Sequence, residues 1–321
     1  MDEIKDFRGS TPVITRRAED AARARLLRAM REPAPAPRRR LMPRPVWRLA
    51  FAASLSVAVA VAVAVGGGIA LTGDDGGRSV LTPVASVQQL GERAARAAAT
   101  NPYETVPSPG KWLYVKETIA PLREEPEPEV DRDKRTTLEL WNSVDGRQTA
   151  LDDGKGRLVI HEAGPGVTAA DLAEAPVTPE RVLARIRAAV AETPAPPGDD
   201  VPDEQRIVET ISRVMNEQAL EPEVRAALFR ALPMIEGVSV KQDAVDAAGR
   251  QGVAFAYTGR WERFEIILSP EEYTYLGTYG ETVATRTYTT PAGTREVKAG
   301  TPVVWTAHLR AGIVDEPGER P

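Results

Sequence analysis

Between Leu49 and Gly73 the chain carries 25 consecutive residues without a charged side chain, and this stretch constrains the fold more than anything else in the 321 residues. Coiled as a helix it would extend roughly 37 Å, enough to cross a hydrocarbon core of about 30 Å. The Val/Ala alternation over 57–65 also has the period of a strand. A lone strand in lipid would leave its backbone groups unpaired, so the helix is the better reading, over 49–72.

The flanks orient this helix. Residues 1–48 hold 13 basic and 6 acidic side chains, whereas residues 74–321 hold 28 basic and 40 acidic ones. Arg38, Arg39, Arg40, Arg44 and Arg48 crowd the amino-terminal side, with Trp47 as an interfacial ring, and Asp74 and Asp75 open the other side. Basic flanks stay in the cytoplasm, which sets a single-pass topology in the cell membrane with the carboxyl-terminal part outside. A cleaved secretory signal competes poorly, because its basic region would run to nearly 48 residues.

Residues 1–48 then form a basic cytoplasmic tail. Thr15 can cap a short amphipathic helix over about 16–31, with Ala18, Ala22, Leu26, Ala29 and Met30 on one face. Arg16, Arg17, Arg23, Arg28 and Arg31 form the candidate face for a cytoplasmic partner. The Pro/Arg linker over 32–45 should be an extended spacer. No aromatic residues interleave with the arginines, so nucleic acid is not an expected partner.

Beyond a linker at 73–85, residues 86–321 read as one extracytoplasmic α+β domain. Ser86-x-x-Gln89 is a capping box that opens a helix over about 86–99. Strands are expected at 111–118, 136–143, 147–151 and 157–161, with Asp145-Gly146 as a hairpin turn, and 121–130 as a solvated loop. Helices follow: one capped by Thr178 with Pro179 at its first position, one carrying Ile207, Ile211 and Val214, and one from Pro222 to Leu232. Residues 238–311 return to strands joined by short turns, read as an antiparallel meander ending at 303–310. The expected architecture is a twisted antiparallel sheet packed on the inserted helices, with a split into two domains near residue 200 as the alternative.

Chemistry is sparse. The chain has no Cys and two His, which excludes thiol nucleophiles, disulfides and Cys/His zinc sites. His161 and His308 lie far apart in sequence and in no metal-binding spacing, and each reads as a surface or satisfied core residue. No nucleophile elbow, phosphate loop or dinucleotide motif occurs. The expectation is a non-enzyme, with no catalytic, cofactor-binding or metal-binding residue assigned.

Several segments together carry a resemblance: Ala21-Ala-Arg-Ala-Arg-Leu-Leu27, the Arg/Pro linker and membrane helix, Lys111-Trp-Leu-Tyr-Val-Lys116, Pro222-Glu-Val-Arg-Ala-Ala-Leu-Phe-Arg-Ala-Leu232, Gly249-Arg-Gln-Gly-Val-Ala254 and the closing Gly312-Ile-Val-Asp-Glu-Pro-Gly-Glu-Arg-Pro321. The chain resembles, over essentially its whole length, an uncharacterised family of actinobacterial single-pass membrane proteins often encoded beside extracytoplasmic-function sigma factors. With 34 Arg against 7 Lys, the composition fits a high-GC genome. The resemblance implies a role in envelope signalling and carries no activity, cofactor or site residue.

Two functions follow as expectations. One is an envelope-signalling partner whose basic tail engages a sigma factor or another regulatory protein. The other is a membrane-anchored module that binds a lipid or lipoprotein, since a curved sheet on inserted helices resembles the lipoprotein-carrier type of fold. A cavity between sheet and helices would favour the second.

Overall fold

The computed structural model describes residues 84–100, 107–121, 130–152, 156–163, 166–193, 201–290 and 293–321. The basic tail, the membrane helix and almost all of the 73–85 linker lie outside the described residues. Among the described residues no helix is long and apolar enough to cross a membrane. All of them belong to one compact unit, Leu81–Pro321.

The unit opens with α1 (Val87–Thr100), followed by β1 (Trp112–Ile119), β2 (Thr136–Ser143), β3 (Gln148–Asp152) and β4 (Leu158–Glu162). A helical group comes next: α2 (Ala169–Ala173), α3 (Pro179–Glu192), α4 (Asp203–Glu217) and α5 (Pro222–Ala231). The remainder is β5 (Val238–Val245), β6 (Gln251–Thr258), β7 (Glu262–Leu268), β8 (Tyr275–Thr282), the hairpin β9 (Arg286–Thr290) with β10 (Gly293–Val297), and the long β11 (Pro302–Val314). The class is α+β, with a large antiparallel sheet and a few helices.

Local chemistry accounts for the helix starts. At α1 the Gln89 backbone N–H donates to Ser86 Oγ at 3.1 Å, and Gln89 Oε1 accepts from the Ala85 N–H at 2.8 Å. At α3 the Arg181 N–H donates to Thr178 Oγ1 at 3.3 Å, with Pro179 in the first turn where no N–H is needed. The short α2 is an addition to the sequence reading. Its signal is Thr168-x-x-Asp171, a reciprocal cap in which the Asp171 carboxylate accepts from the Thr168 N–H at 2.8 Å. The apolar stripes pack inward: Val182, Leu183, Ile186 and Val190 of α3 and Ile207, Ile211 and Val214 of α4 share one core with Val253 and Phe255 of β6 and Ile266 and Leu268 of β7. Each such side chain contributes about 1.5–3 kcal/mol by leaving water. Where α1 crosses α5, a Cβ on Gly91 would stand 2.9 Å from the Phe229 carbonyl oxygen, so the small residue sets the helix separation.

Nine strands form one sheet in the order β4-β3-β2-β1-β11-β8-β7-β6-β5. The expected simple meander is therefore corrected at its last strand. β11 is longer than the 303–310 expected and runs between β1 and β8, joining the two halves of the sheet. Without it both β1 and β8 would present an open edge, with unpaired backbone groups.

The helices cover one face. On the opposite face, Trp112, Tyr114, Trp141, Ala150 and Val314 form a second cluster, against which the last residues fold back. Trp141 Nε1 donates to the Glu319 carbonyl oxygen at 2.7 Å, and Arg320 makes a paired contact with Glu139, Nε to Oε1 at 3.0 Å and Nη2 to Oε2 at 2.6 Å. The Arg320 guanidinium holds the Glu139 carboxyl down at about 2, assisted by the Tyr114 hydroxyl, which donates to it at 2.7 Å.

Candidate functional site

The described residues enclose a cleft of about 400 Å³ between the sheet and the helices. It exists because two neighbouring strands part. β8 and β11 pair from Pro302↔Glu281 to Trp305↔Tyr279, and there the regular ladder stops. At the next position Thr306 Oγ1 accepts from the Thr278 N–H at 3.0 Å. Gly277, at φ 149°, accommodates the Thr306 carbonyl oxygen where a Cβ would otherwise sit.

Beyond that point an arginine satisfies the freed carbonyls. Arg250 Nη2 donates to Leu276 O at 3.0 Å and to His308 O at 2.7 Å, one on each parted strand. The turn between β5 and β6 aims it. Asp246, fully buried, accepts from Arg250 Nε at 2.6 Å and from the Ala248 and Arg250 N–H groups at 2.9 Å each. In addition, the Ala247 N–H donates to Thr306 O at 3.1 Å. Unpaired buried carbonyls would cost about 1–3 kcal/mol each, so this Asp246/Arg250 pair makes the gap between the strands stable.

The helices roof the gap with Ala97 and Ala98 of α1, Met215 and Asn216 of α4, and Phe229 of α5, while Leu113, Tyr275 and His308 line the sheet side. The turn over 269–274 forms one rim. Tyr273 sits there at φ 55°, strained for a bulky residue, and Arg93 Nη1 of α1 donates to its hydroxyl at 3.2 Å. The lining is thus mixed, with Leu113, Met215 and Phe229 beside Asn216 and His308, and with Arg225, Arg250, Glu272 and Arg310 also along it.

That floor is a relay. Asn216 Nδ2 donates to Glu117 Oε2 at 3.1 Å, and Asn216 Oδ1 lies 2.9 Å from His308 Nδ1. With the amide nitrogen turned to the carboxylate, Oδ1 must accept, so the proton of neutral His308 sits on Nδ1. Burial, with the Arg250 charge adding to it, pushes the imidazole down to about 4. Burial also raises the carboxyl of Glu117 against the Asn216 hydrogen bond, and raises Glu217 against the Arg213 charge. Tyr275 meets the imidazole edge-on, ring centroids 5.7 Å apart, and its hydroxyl lies 3.4 Å from Ser212 Oγ.

A smaller polar cavity of about 170 Å³ lies beside α4, where Asn142 Nδ2 and Gln218 Oε1 are buried without partners. They are one donor and one acceptor, and ordered water suits them. Among the described residues no group of three His, Asp or Glu could hold a metal ion.

The candidate residues of the sequence reading, Arg16, Arg17, Arg23, Arg28 and Arg31 on the tail and Arg38, Arg39, Arg40, Arg44, Trp47 and Arg48 beside the membrane helix, lie outside the described residues. His161 sits on the exposed edge strand β4. His308, read from sequence as a surface or satisfied core residue, lines the cleft. Asn216 and Arg250 carried no sequence signal for this role beyond the Asp-x-x-x-Arg spacing of 246 and 250. No family model, curated protein or solved structure matches the chain.

Proposed function

We propose that the chain is a non-enzymatic, membrane-anchored module whose extracytoplasmic part binds an amphipathic ligand, a lipid or a lipid-bearing protein segment, in the cleft between sheet and helices. The supporting observation is the gap between β8 and β11, which Arg250, aimed by the buried Asp246, bridges under a helical roof. A volume of about 400 Å³ lies in the range of small-molecule sites, and a lining that sets Leu113, Met215 and Phe229 beside Arg225, Arg250 and Arg310 suits an acyl chain with a polar end. An anchor over 49–72 would keep the module at a membrane, a source of such ligands.

The test is to purify the full chain from membranes and extract its bound lipids for mass spectrometry, beside a Met215→Trp variant that fills the cleft. Lipid recovered with the wild type and lost with Met215→Trp supports the reading; equal recovery from both sinks it. A signalling role through a sigma factor is a separate proposal. It rests on the arginine face of the tail, and deleting residues 1–45 tests it by whether sigma-dependent transcription changes.

A further inference from the structure

We infer that the cleft selects an anionic single-chain amphiphile, whose carboxylate or phosphate is held between the Arg250 and Arg310 guanidiniums; this deepens the binding reading above and rests on it. The fold brings the two arginines to one end of the cleft. Arg250 Nη2 donates to His308 O at 2.7 Å, and Arg310 follows His308 by two positions on β11. Both line the cleft and both reach solvent, Arg310 as an exposed residue and Arg250 with its side chain 38 % exposed. Arg250 uses Nε and Nη2 on Asp246 and the two carbonyls. Its Nη1 makes no hydrogen bond among the described residues, and neither does the Arg310 guanidinium.

The charges around the cleft favour an anion. The lining holds Arg225, Arg250 and Arg310 against one acid, Glu272, and no ion pair joins Glu272 to Arg310. Behind the lining, buried Asp246 offsets Arg250 for a ligand of either sign, and the Glu117 carboxyl lies beyond Asn216. His308, pushed down to about 4, adds no charge at neutral pH. Arg310 is then the cation left to a ligand, and Arg225, which has contacts of its own, adds to the positive side from α5. A guanidinium matches carboxylate and phosphate oxygens with parallel N–H donors, so an anion gains geometry as well as charge. A cationic head would meet the same arginines with Glu272 alone to receive it, and a neutral head would gain no ion pair. The acyl chain lies along Leu113, Met215 and Phe229, and about 400 Å³ admits one chain rather than two.

The probes are palmitate, palmitoyl lysophosphatidate and monopalmitoylglycerol, offered to the delipidated full chain in phosphatidylcholine nanodiscs at mildly alkaline pH, with binding read by native mass spectrometry. Wild type should hold at least one of the anions about tenfold more tightly than the glycerol ester, the effect of one charge-assisted hydrogen bond, and the tighter anion tells carboxylate from phosphate. Arg310→Gln should remove most of that preference while monopalmitoylglycerol binds as before, which also shows the variant is folded; Arg310→Lys, which keeps the charge without the fork, should retain part of it. Glu272→Gln should move the preference the other way, upward. Equal binding of all three by wild type, or a preference that survives Arg310→Gln, overturns the inference and leaves the lipid reading standing. Binding of none overturns both.

Discussion

On the outer face of the sheet, Trp112, Tyr114 and Trp141 are roofed by the chain's own last residues, with Trp141 bonded to Glu319 and Arg320 paired with Glu139. On the inner face, Tyr275 and His308 lie beneath helices that leave about 400 Å³ unfilled. Both regions gather aromatic side chains around polar atoms, yet one is closed by backbone and the other is bridged by a half-exposed arginine held on a buried aspartate. Aromatic clustering by itself therefore does not mark a site. What distinguishes the cleft is that β8 and β11 part, and that a dedicated pair, Asp246 with Arg250, replaces the missing ladder.

The sharpest way to break this contrast is to remove each face's buried carboxylate. Asp246→Ala should cost about 3 kcal/mol in denaturant unfolding, because Arg250 Nε and the Ala248 and Arg250 N–H groups lose their shared acceptor at about 1 kcal/mol each, and it should also abolish lipid binding. Glu265→Ala removes the other fully buried carboxylate among the described residues, paired with Lys241 at 3.1 Å and Arg263 at 2.8 Å. Its stability loss should be similar, but lipid binding should persist in the folded fraction. Equal loss of binding in both would erase the distinction.

Acid comes next. The His308 imidazole is pushed from 6.5 to about 4 in the fold, so the unfolded chain takes up its proton first, and stability falls as pH drops from about 6.5 to about 4. A shift of this size corresponds to on the order of 3 kcal/mol. The raised carboxyls of Glu117 and Glu217 act oppositely, since the folded chain binds their protons more readily and gains stability as pH falls toward the unfolded value of 4.5. The readout is thus the difference between wild type and His308→Gln in unfolding measured from pH 7 to 4, and only the wild type should show the added acid loss.

Gly277→Ala should cost about 2 kcal/mol, because the new methyl group meets the Thr306 carbonyl at the point where the strands part. Thermal unfolding checks it, and an unchanged midpoint would mean that the strands can separate further at no cost. The smallest effect belongs to the closed face. Trp141→Phe deletes one hydrogen bond, about 1 kcal/mol, and should speed carboxypeptidase trimming of the last residues without changing lipid binding.

Much of this architecture is written in local sequence. Thr178-Pro179 and Ser86-x-x-Gln89 announce helix starts because their hydrogen bonds close within one turn, and the stripes of α3 and α4 announce the buried face because its period is that of the helix. The position of β11 is not local. Whether a final strand joins its neighbour or enters the middle of the sheet depends on which edges remain open, which no window of sequence contains. The same is true of the cleft floor: His308 acquires its character from Asn216, 92 positions earlier, and from Glu117 on another strand. Arg250 was nearest to being legible, since Asp246 and the turn glycine Gly249 stand beside it, but its two carbonyl partners lie 26 and 58 positions onward.

The most direct test of the contrast between the faces is photo-crosslinking of the full chain in nanodiscs, with a fatty acid carrying a diazirine in its acyl chain and the modified peptides mapped. Label on the segments around Met215, Phe229 and Leu309, removed by excess unlabelled lipid and by Met215→Trp, is the predicted result. Label concentrated instead around Trp112 and Trp141, or unchanged in Met215→Trp, would contradict the assignment of the inner cleft as the binding site.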